Sequence, residues 1–132
     1  MDASGTKVRM ELLPPYALAQ IASVLAHGAD KHGEWNWRLP SGEFNEDHYL
    51  GAILRHANLA MAGQDVDPGT GISHYAHIAA TCMIVLDALL LKAGNNRRTI
   101  RANLPPALQD YLYTAMQDRT VPLLTALTDK DL

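Results

Sequence analysis

Apolar side chains recur at the spacing of a helix face in several stretches of the chain, and proline or glycine separates these stretches. The first stretch follows a Pro-Pro pair and ends at Gly28, so the sequence predicts a first helix over about residues 15–27. The second begins after Asn45, a residue that caps helices well, and runs to Gly63. Two amphipathic helices are therefore predicted in the first half of the chain.

The third predicted helix is the longest and the most apolar. It extends over residues 71–93, and the segment Gly94-Asn95-Asn96 ends it. Between Ile78 and Leu91 it is apolar on nearly every face, which is typical of a helix at the centre of a bundle or covered by another subunit. Coverage by another subunit predicts a homo-oligomer, either a dimer or a tetramer.

The remaining segments complete an all-α fold. Residues 30–44 contain both tryptophans without a sustained period and predict a loop. Pro105-Pro106 opens a fourth helix, and the tail from Thr120 forms a short fifth helix or a frayed end. We therefore expect a single domain with a bundle of four to five helices, with a core of about residues 12–93 and a C-terminal helical extension of about residues 104–132.

Composition supports this fold class and excludes some functions. Of the 132 residues, 48% are hydrophobic, and these are mostly leucine, alanine and isoleucine, which favour helices over strands. The formal charge of -3 and the pI near 6.0 argue against tight binding to a nucleic-acid backbone, which draws on clustered lysine and arginine. The basic residues cluster only at Arg97, Arg98 and Arg101.

The cysteine count and the apolar segments indicate a cytoplasmic protein. Cys82 is the only cysteine, so no intrachain disulfide forms and a reducing compartment is expected. We expect no membrane partner, because no apolar signal segment is visible and the stretch from Ile78 to Leu91 is short and contains Asp87. Asp87 needs a charged partner, for which the arginines of residues 97–101 are candidates, and we interpret it as structural.

Candidate metal ligands gather in the thirteen residues from Asp65 to His77. His74 and His77 are three residues apart at the opening of a helix, so both side chains can point at one spot. Asp65 and Asp67 lie in the preceding Gly/Pro turn and supply oxygen ligands, and His56 lies on the helix before that turn. Mixed histidine and carboxylate ligation suits manganese, zinc, iron or cobalt.

Each of these residues also has an ordinary structural interpretation. The histidines could form hydrogen bonds within the bundle, and Asp67 before Pro68-Gly69 could be a turn residue. Arg55 could form an ion pair or, through its planar guanidinium, clamp a phosphate. Glu34, Glu46 and Asp47 are expected to be surface or helix-start charges, with Glu34 or Glu46 as reserve metal ligands or bases.

Several motifs keep their order and spacing together and resemble a known family. They are Leu12-Leu13-Pro14-Pro15, the run from Gly28 to Trp37, Arg55-His56, the run from Gly63 to Asp67, and His74-Tyr75-Ala76-His77. Over roughly residues 12–90 the chain resembles the small phage dATP/dGTP diphosphohydrolases of the MazZ type. These belong with the MazG-like and HisE-like all-α nucleoside triphosphate pyrophosphohydrolases.

The resemblance implies a reaction. A purine nucleoside or deoxynucleoside triphosphate, most readily dGTP with GTP or dATP as alternatives, is cut between its α- and β-phosphates to the monophosphate and pyrophosphate, with Mn or Mg as the cofactor. In such phages the monophosphate feeds synthesis of 2-aminoadenine nucleotides.

The spacing of the residues and the resemblance together predict roles for individual residues. The metal ligands are His56, Asp67, His74 and His77, with Asp65 as a nearby catalytic carboxylate. Lys31 and Arg55 neutralise phosphate charge, and Asn36 with Trp37 shapes the nucleoside pocket.

The chain departs from the MazG pattern in two respects. MazG relatives carry Glu-Glu-x-x-Glu on one helix and Glu-x-x-Asp on the next, whereas the counterparts here are residues 52–56 and residues 74–77, where histidines stand in place of carboxylates. The position after Gly63 is often acidic in relatives, and here it is Gln64, with Asp65 as a substitute.

The sequence is also compatible with two other functions. An HD-type phosphohydrolase also combines histidines and aspartates around a metal, although its adjacent His-Asp pair is missing here. A non-catalytic helical oligomer that binds nucleotide or metal only structurally is the second alternative. The products formed from dGTP distinguish all three.

Overall fold

The computed structural model describes residues 5–39, 44–91 and 105–118. Within these ranges the structure contains helices and no β-strand longer than an isolated bridge, so the all-α fold class is confirmed. The α-helices are α1 (Pro15–His32), α2 (Glu46–Met61), α3 (His74–Leu91) and α4 (Pro106–Gln117). Short 3-10 helices occupy Met10–Leu12 and Asn36–Arg38.

Helix α1 is longer than the sequence predicts. Gly28 does not end it, because a glycine inside a helix costs only about 1 kcal/mol and breaks no hydrogen bond. The helix ends at Gly33, which has φ +91° and donates its N–H to the Ala29 carbonyl oxygen. This left-handed φ is open to glycine and strained for other residues. The predicted loop from Asp30 therefore begins only after His32.

Helix α2 begins where the sequence predicts. The Asn45 side chain accepts a hydrogen bond from the His48 N–H at 3.3 Å, which is the expected N-cap. Of the two alternatives predicted for Glu46 and Asp47, the structure shows helix-start charges, because both lie in the first turn of α2 and are only 6% and 9% exposed. The helix ends at Met61, two residues before Gly63.

Helix α3 begins three residues later than predicted, at His74, because the chain from Asp65 to Ser73 forms a compact turn that includes a bridge between Val66 and Ser73. The helix contacts both α1 and α2. The predicted end of α3 at Ala93 and its stop signal lie outside the described residues. The core of this helical unit consists of Trp37, Phe44 and Ala88, packed by Leu25, Tyr49, Ile84, Val85 and Leu89.

Asp87 has a charged partner, as predicted, among the described residues. Its carboxylate accepts hydrogen bonds from Arg38 Nε at 2.7 Å and Nη2 at 2.9 Å, and from the Trp37 indole N–H at 2.7 Å. These partners come from the segment after α1, which the sequence does not indicate; the predicted candidates at residues 97–101 lie outside the described part of the chain. These contacts attach Trp37 and Arg38 to α3, in keeping with the predicted structural role of Asp87.

By length and composition alone, α3 is the one helix among the described residues that could cross a membrane, with a mean hydropathy of 1.6. This is weak evidence, since core helices of soluble proteins have the same property.

The described helices fall into two compact units, one within residues 1–99 and the other within residues 100–132. The second unit contains α4, which begins after Pro105 with a proline in its first turn, as the sequence predicts. The predicted segment from Thr120 lies outside the described residues. The assignment of all helices to one domain stays a prediction.

Gly28 inside α1 and Gly33 at its C-cap give opposite expected effects on stability. Gly28→Ala is expected to raise the free energy of unfolding by about 0.5–1 kcal/mol, because a Cβ there meets no atom within 4 Å and alanine favours the helix. Gly33→Ala is expected to lower it by about 1–3 kcal/mol because of the positive φ. Urea unfolding of the two variants measures both effects, and a destabilised Gly28→Ala variant would contradict the helix geometry.

Candidate metal centre

The turn between α2 and α3 fixes the position of one carboxylate. Asp67 Oδ1 accepts the Gly69 N–H at 2.7 Å, and the Asp67 backbone carbonyl oxygen accepts the Gly71 N–H at 2.7 Å. Gly71 has φ +71°, which suits glycine at this tight point of the turn. The second carboxylate oxygen, Oδ2, lies 3.9 Å from His56 Nδ1. One oxygen of Asp67 therefore holds the turn while the other faces the histidines.

Three side chains from three segments converge on one point. His56 from α2, Asp67 from the turn and His77 from the first turns of α3 each offer a ligand atom, and these atoms all lie within 4.8 Å of one another. The rings of His56 and His77 are stacked, with centroids 4.6 Å apart and planes at 11°. Two imidazole nitrogens and one carboxylate oxygen are a suitable donor set for a divalent transition metal.

His74 joins this triad through His56. It is fully buried, its Nδ1 lies 2.8 Å from His56 Nδ1, and its Nε2 lies 2.7 Å from Gln64 Oε1. The predicted convergence of His74 and His77 therefore takes place around His56. His77 has its own contact, because its Nε2 lies 2.7 Å from the hydroxyl oxygen of Thr70.

The pKa shifts in the triad favour the protonation states that bind a metal. Burial lowers the pKa of His56 and of His77, and a neighbouring histidine lowers each pKa further. Burial alone would raise the pKa of Asp67, but the Gly69 N–H and the three histidines outweigh it, and the pKa of Asp67 is lowered. At neutral pH both imidazoles are therefore neutral and the carboxylate is ionised, as metal ligands must be.

Two of the three predicted catalytic residues, Asp65 and Arg55, are connected to histidines of this site, whereas Lys31 is located only by its place on α1. Asp65 is exposed, and its backbone carbonyl oxygen accepts the His74 N–H at 3.1 Å. Arg55 is exposed on α2, and its positive charge helps to lower the pKa of the adjacent His56. Lys31 lies exposed in the last turn of α1.

The two predicted nucleoside-binding residues line a cavity beside the metal centre. This cavity has a volume of about 470 Å³, and Thr81, one helical turn after His77, is part of its wall. The Thr81 hydroxyl donates to the His77 carbonyl oxygen at 2.8 Å. Trp37 is buried with its indole N–H on Asp87, so it contributes ring surface, whereas Asn36 contributes a polar amide. Further polar or aromatic lining residues are His32, Asn45, His48 and Tyr49.

Sequence reasoning missed one contact of the site and undervalued another. The sequence does not indicate Thr70, because nothing in its spacing separates it from an ordinary turn residue. In the sequence Gln64 is a departure from an acidic position, whereas the structure gives it a direct hydrogen bond to His74.

Comparison with known proteins gives two matches by sequence. The family model described as dATP/dGTP diphosphohydrolase, N-terminal, matches residues 1–98. A curated protein of Salmonella phage PMBT28, named dATP/dGTP diphosphohydrolase, is 32% identical over 93 residues, which are 70% of this chain and 29% of that protein. The chain thus spans less than a third of the length of this relative. No solved structure matches the chain.

The lowered pKa values of His56 and His77 predict a pH dependence of stability. A histidine whose pKa is lower in the folded chain than in the unfolded chain contributes stability above its unfolded pKa, and this contribution is lost as the pH falls. We expect the metal-free protein to lose stability as the pH falls below about 6.5.

Denaturant unfolding in the presence of a chelator, from about pH 8 to about pH 5, measures this loss. The double variant His56→Gln with His77→Gln is the control, and its stability should vary much less over the same range. Stability of the wild-type chain that rises as the pH falls would contradict the burial of these two rings.

Proposed function

The chain belongs to the family of dATP/dGTP diphosphohydrolase N-terminal domains, and on that premise we propose that it hydrolyses a purine deoxynucleoside triphosphate, most readily dGTP, to the monophosphate and pyrophosphate. The observation that carries the proposal is the convergence of His56, Asp67 and His77 within 4.8 Å beside a cavity large enough for a nucleoside. The reaction needs both features, because the metal centre would bind the phosphates and the cavity would bind the base and sugar.

The metal centre would neutralise the negative charge of the substrate. A triphosphate carries about four negative charges near neutral pH, and these repel an attacking water. The triad would hold a divalent cation, Mn or Mg, and His74 Nδ1 offers a further donor 2.8 Å from His56 Nδ1. When bound, the cation neutralises phosphate charge and polarises the phosphorus that water attacks.

The surrounding charged residues complete the phosphate site in this proposal. Lys31 and Arg55 are exposed cations that would contact the phosphate oxygens. Asp65 is an exposed carboxylate at the start of the turn, and it would take the proton from the attacking water. The bond between the α-phosphorus and the bridging oxygen breaks, and pyrophosphate leaves.

The cavity provides the nucleoside site in this proposal. The Asn36 amide has both donors and acceptors, and a guanine edge presents both as well. Trp37 adds apolar ring surface against which a purine packs. The cavity wall at Thr81 lies one turn from His77, a separation that suits a nucleotide whose phosphates are at the metal and whose base is in the cavity.

We also propose the biological setting that the resemblance implies. The protein acts as a soluble homodimer or homotetramer in the cytoplasm of the phage-infected host cell, and its dGMP supplies 2-aminoadenine nucleotide synthesis. Apolar side chains along α3, among them Met83 and Leu90 at 44% and 74% exposure, support burial against a second copy.

The products formed from dGTP test the reaction. We expect dGMP and pyrophosphate in the presence of Mn or Mg, and no turnover with a chelator. Asp67→Asn keeps the oxygen that accepts the Gly69 N–H but loses the charge, so kcat should fall on the order of 100-fold or more.

Asp110→Asn on α4 is the matched control and should retain full activity. Deoxyguanosine with triphosphate as products would assign the protein to the HD-type class. No turnover on any triphosphate would favour the non-catalytic oligomer.

Substitution of Asn36 tests the nucleoside cavity. Asn36→Ala should raise KM for dGTP roughly tenfold with kcat nearly unchanged, because a hydrogen bond to the base is lost in ground state and transition state alike. Steady-state kinetics measure this, with Asn58→Ala on the exposed surface of α2 as the control.

Gly28→Ala places a methyl group at the wall of the same cavity and should also raise KM without unfolding the chain. An unchanged KM in both Asn36→Ala and Gly28→Ala would place the base elsewhere.

A further inference from the structure

We propose that Gln64 is a positioning residue that fixes the tautomer of His74 and so keeps a lone pair directed into the metal centre. This inference rests on the proposed function only in that it assumes a cation site at His56, Asp67 and His77. It concerns a neutral amide outside that triad, and it can be tested without nucleotide.

The direction of one hydrogen bond follows from elementary chemistry. Gln64 Oε1 is a carbonyl oxygen, so it can only accept, and His74 Nε2 at 2.7 Å must therefore carry the hydrogen. A neutral imidazole has a single N–H, which leaves the lone pair of His74 on Nδ1. His74 is fully buried, so water does not compete for either nitrogen.

The lone pair of His74 Nδ1 faces His56, one of the three residues of the metal centre. Because His74 Nδ1 lies 2.8 Å from His56 Nδ1 and accepts, His56 Nδ1 donates the shared hydrogen in the metal-free chain. His56 Nδ1 in turn lies 3.9 Å from Asp67 Oδ2. The opposite tautomer of His74 would point an N–H at this group of ligands and leave Nε2 as an acceptor facing an oxygen. Gln64 prevents that arrangement, and such outer contacts commonly decide which nitrogen of a histidine is available to a metal.

Backbone hydrogen bonds at the end of α2 fix the position of Gln64. Its N–H donates to the Leu59 carbonyl oxygen at 3.0 Å, and the Gly63 N–H donates to the Ala60 carbonyl oxygen at 3.0 Å. Together with φ +97° at Gly63, these bonds form the Schellman motif that ends α2. The helix that carries His56 therefore also holds Gln64 in a fixed position after its last turn.

The imidazole ¹⁵N resonances of the metal-free full-length protein test the tautomer directly. In the wild-type chain His74 Nε2 should be pyrrole-like, with its hydrogen, and Nδ1 pyridine-like. In Gln64→Leu, which has no acceptor, this preference should be lost. Gln64→Glu restores an acceptor oxygen and should restore the wild-type tautomer.

Titration calorimetry with Mn²⁺ gives the second measurement. We expect the dissociation constant to rise about 10–100-fold in Gln64→Leu and to recover in Gln64→Glu. Gln20→Leu on the exposed surface of α1 is the matched control and should leave the Mn²⁺ affinity unchanged. Circular dichroism checks that each variant keeps its helices.

The possible outcomes separate this inference from the proposed function. Gln64→Leu with an unchanged His74 tautomer and unchanged Mn²⁺ affinity overturns it, as does a wild-type chain that binds no Mn²⁺. A wild-type chain that binds Mn²⁺ in a Gln64-dependent way but does not hydrolyse dGTP supports the inference and overturns the proposed function alone.

Discussion

The hydrogen bond from the Gly69 N–H to Asp67 Oδ1 is the interaction on which the rest of the site depends. It closes the turn between α2 and α3, lowers the pKa of Asp67 and leaves the other carboxylate oxygen directed at the histidines. Without this bond a carboxylate in a Gly/Pro turn would be hydrated and mobile. With it, an ordinary turn residue becomes a fixed donor facing two helices.

Helix α3 connects the candidate metal centre to the adjacent cavity. Its first turns carry His74 and His77, and Thr81, one turn later, lines the adjacent cavity. Farther along, Asp87 holds Arg38 and Trp37, which belong to the segment that also carries Asn36. An apolar helix with polar groups at these few points can place both a candidate metal centre and a cavity, because its packing fixes their spacing.

The sequence predicted the fold class and the three residues of the candidate metal centre for identifiable reasons. Proline and asparagine signals placed the starts of α1, α2 and α4, and the spacing of His74 and His77 predicted their convergence. The end of α1 was missed because composition does not tell which of Gly28 and Gly33 adopts a positive φ. The partner of Asp87 and the role of Gln64 depend on contacts between distant segments, which a pattern in one chain does not reveal.

Anomalous diffraction from a crystal grown with Mn²⁺ tests the central claim most directly. The account predicts one strong anomalous peak within coordination distance of the side chains of His56, Asp67 and His77. A well-ordered crystal in which these three side chains surround no anomalous peak, or in which Mn²⁺ is bound only by other residues, would contradict it.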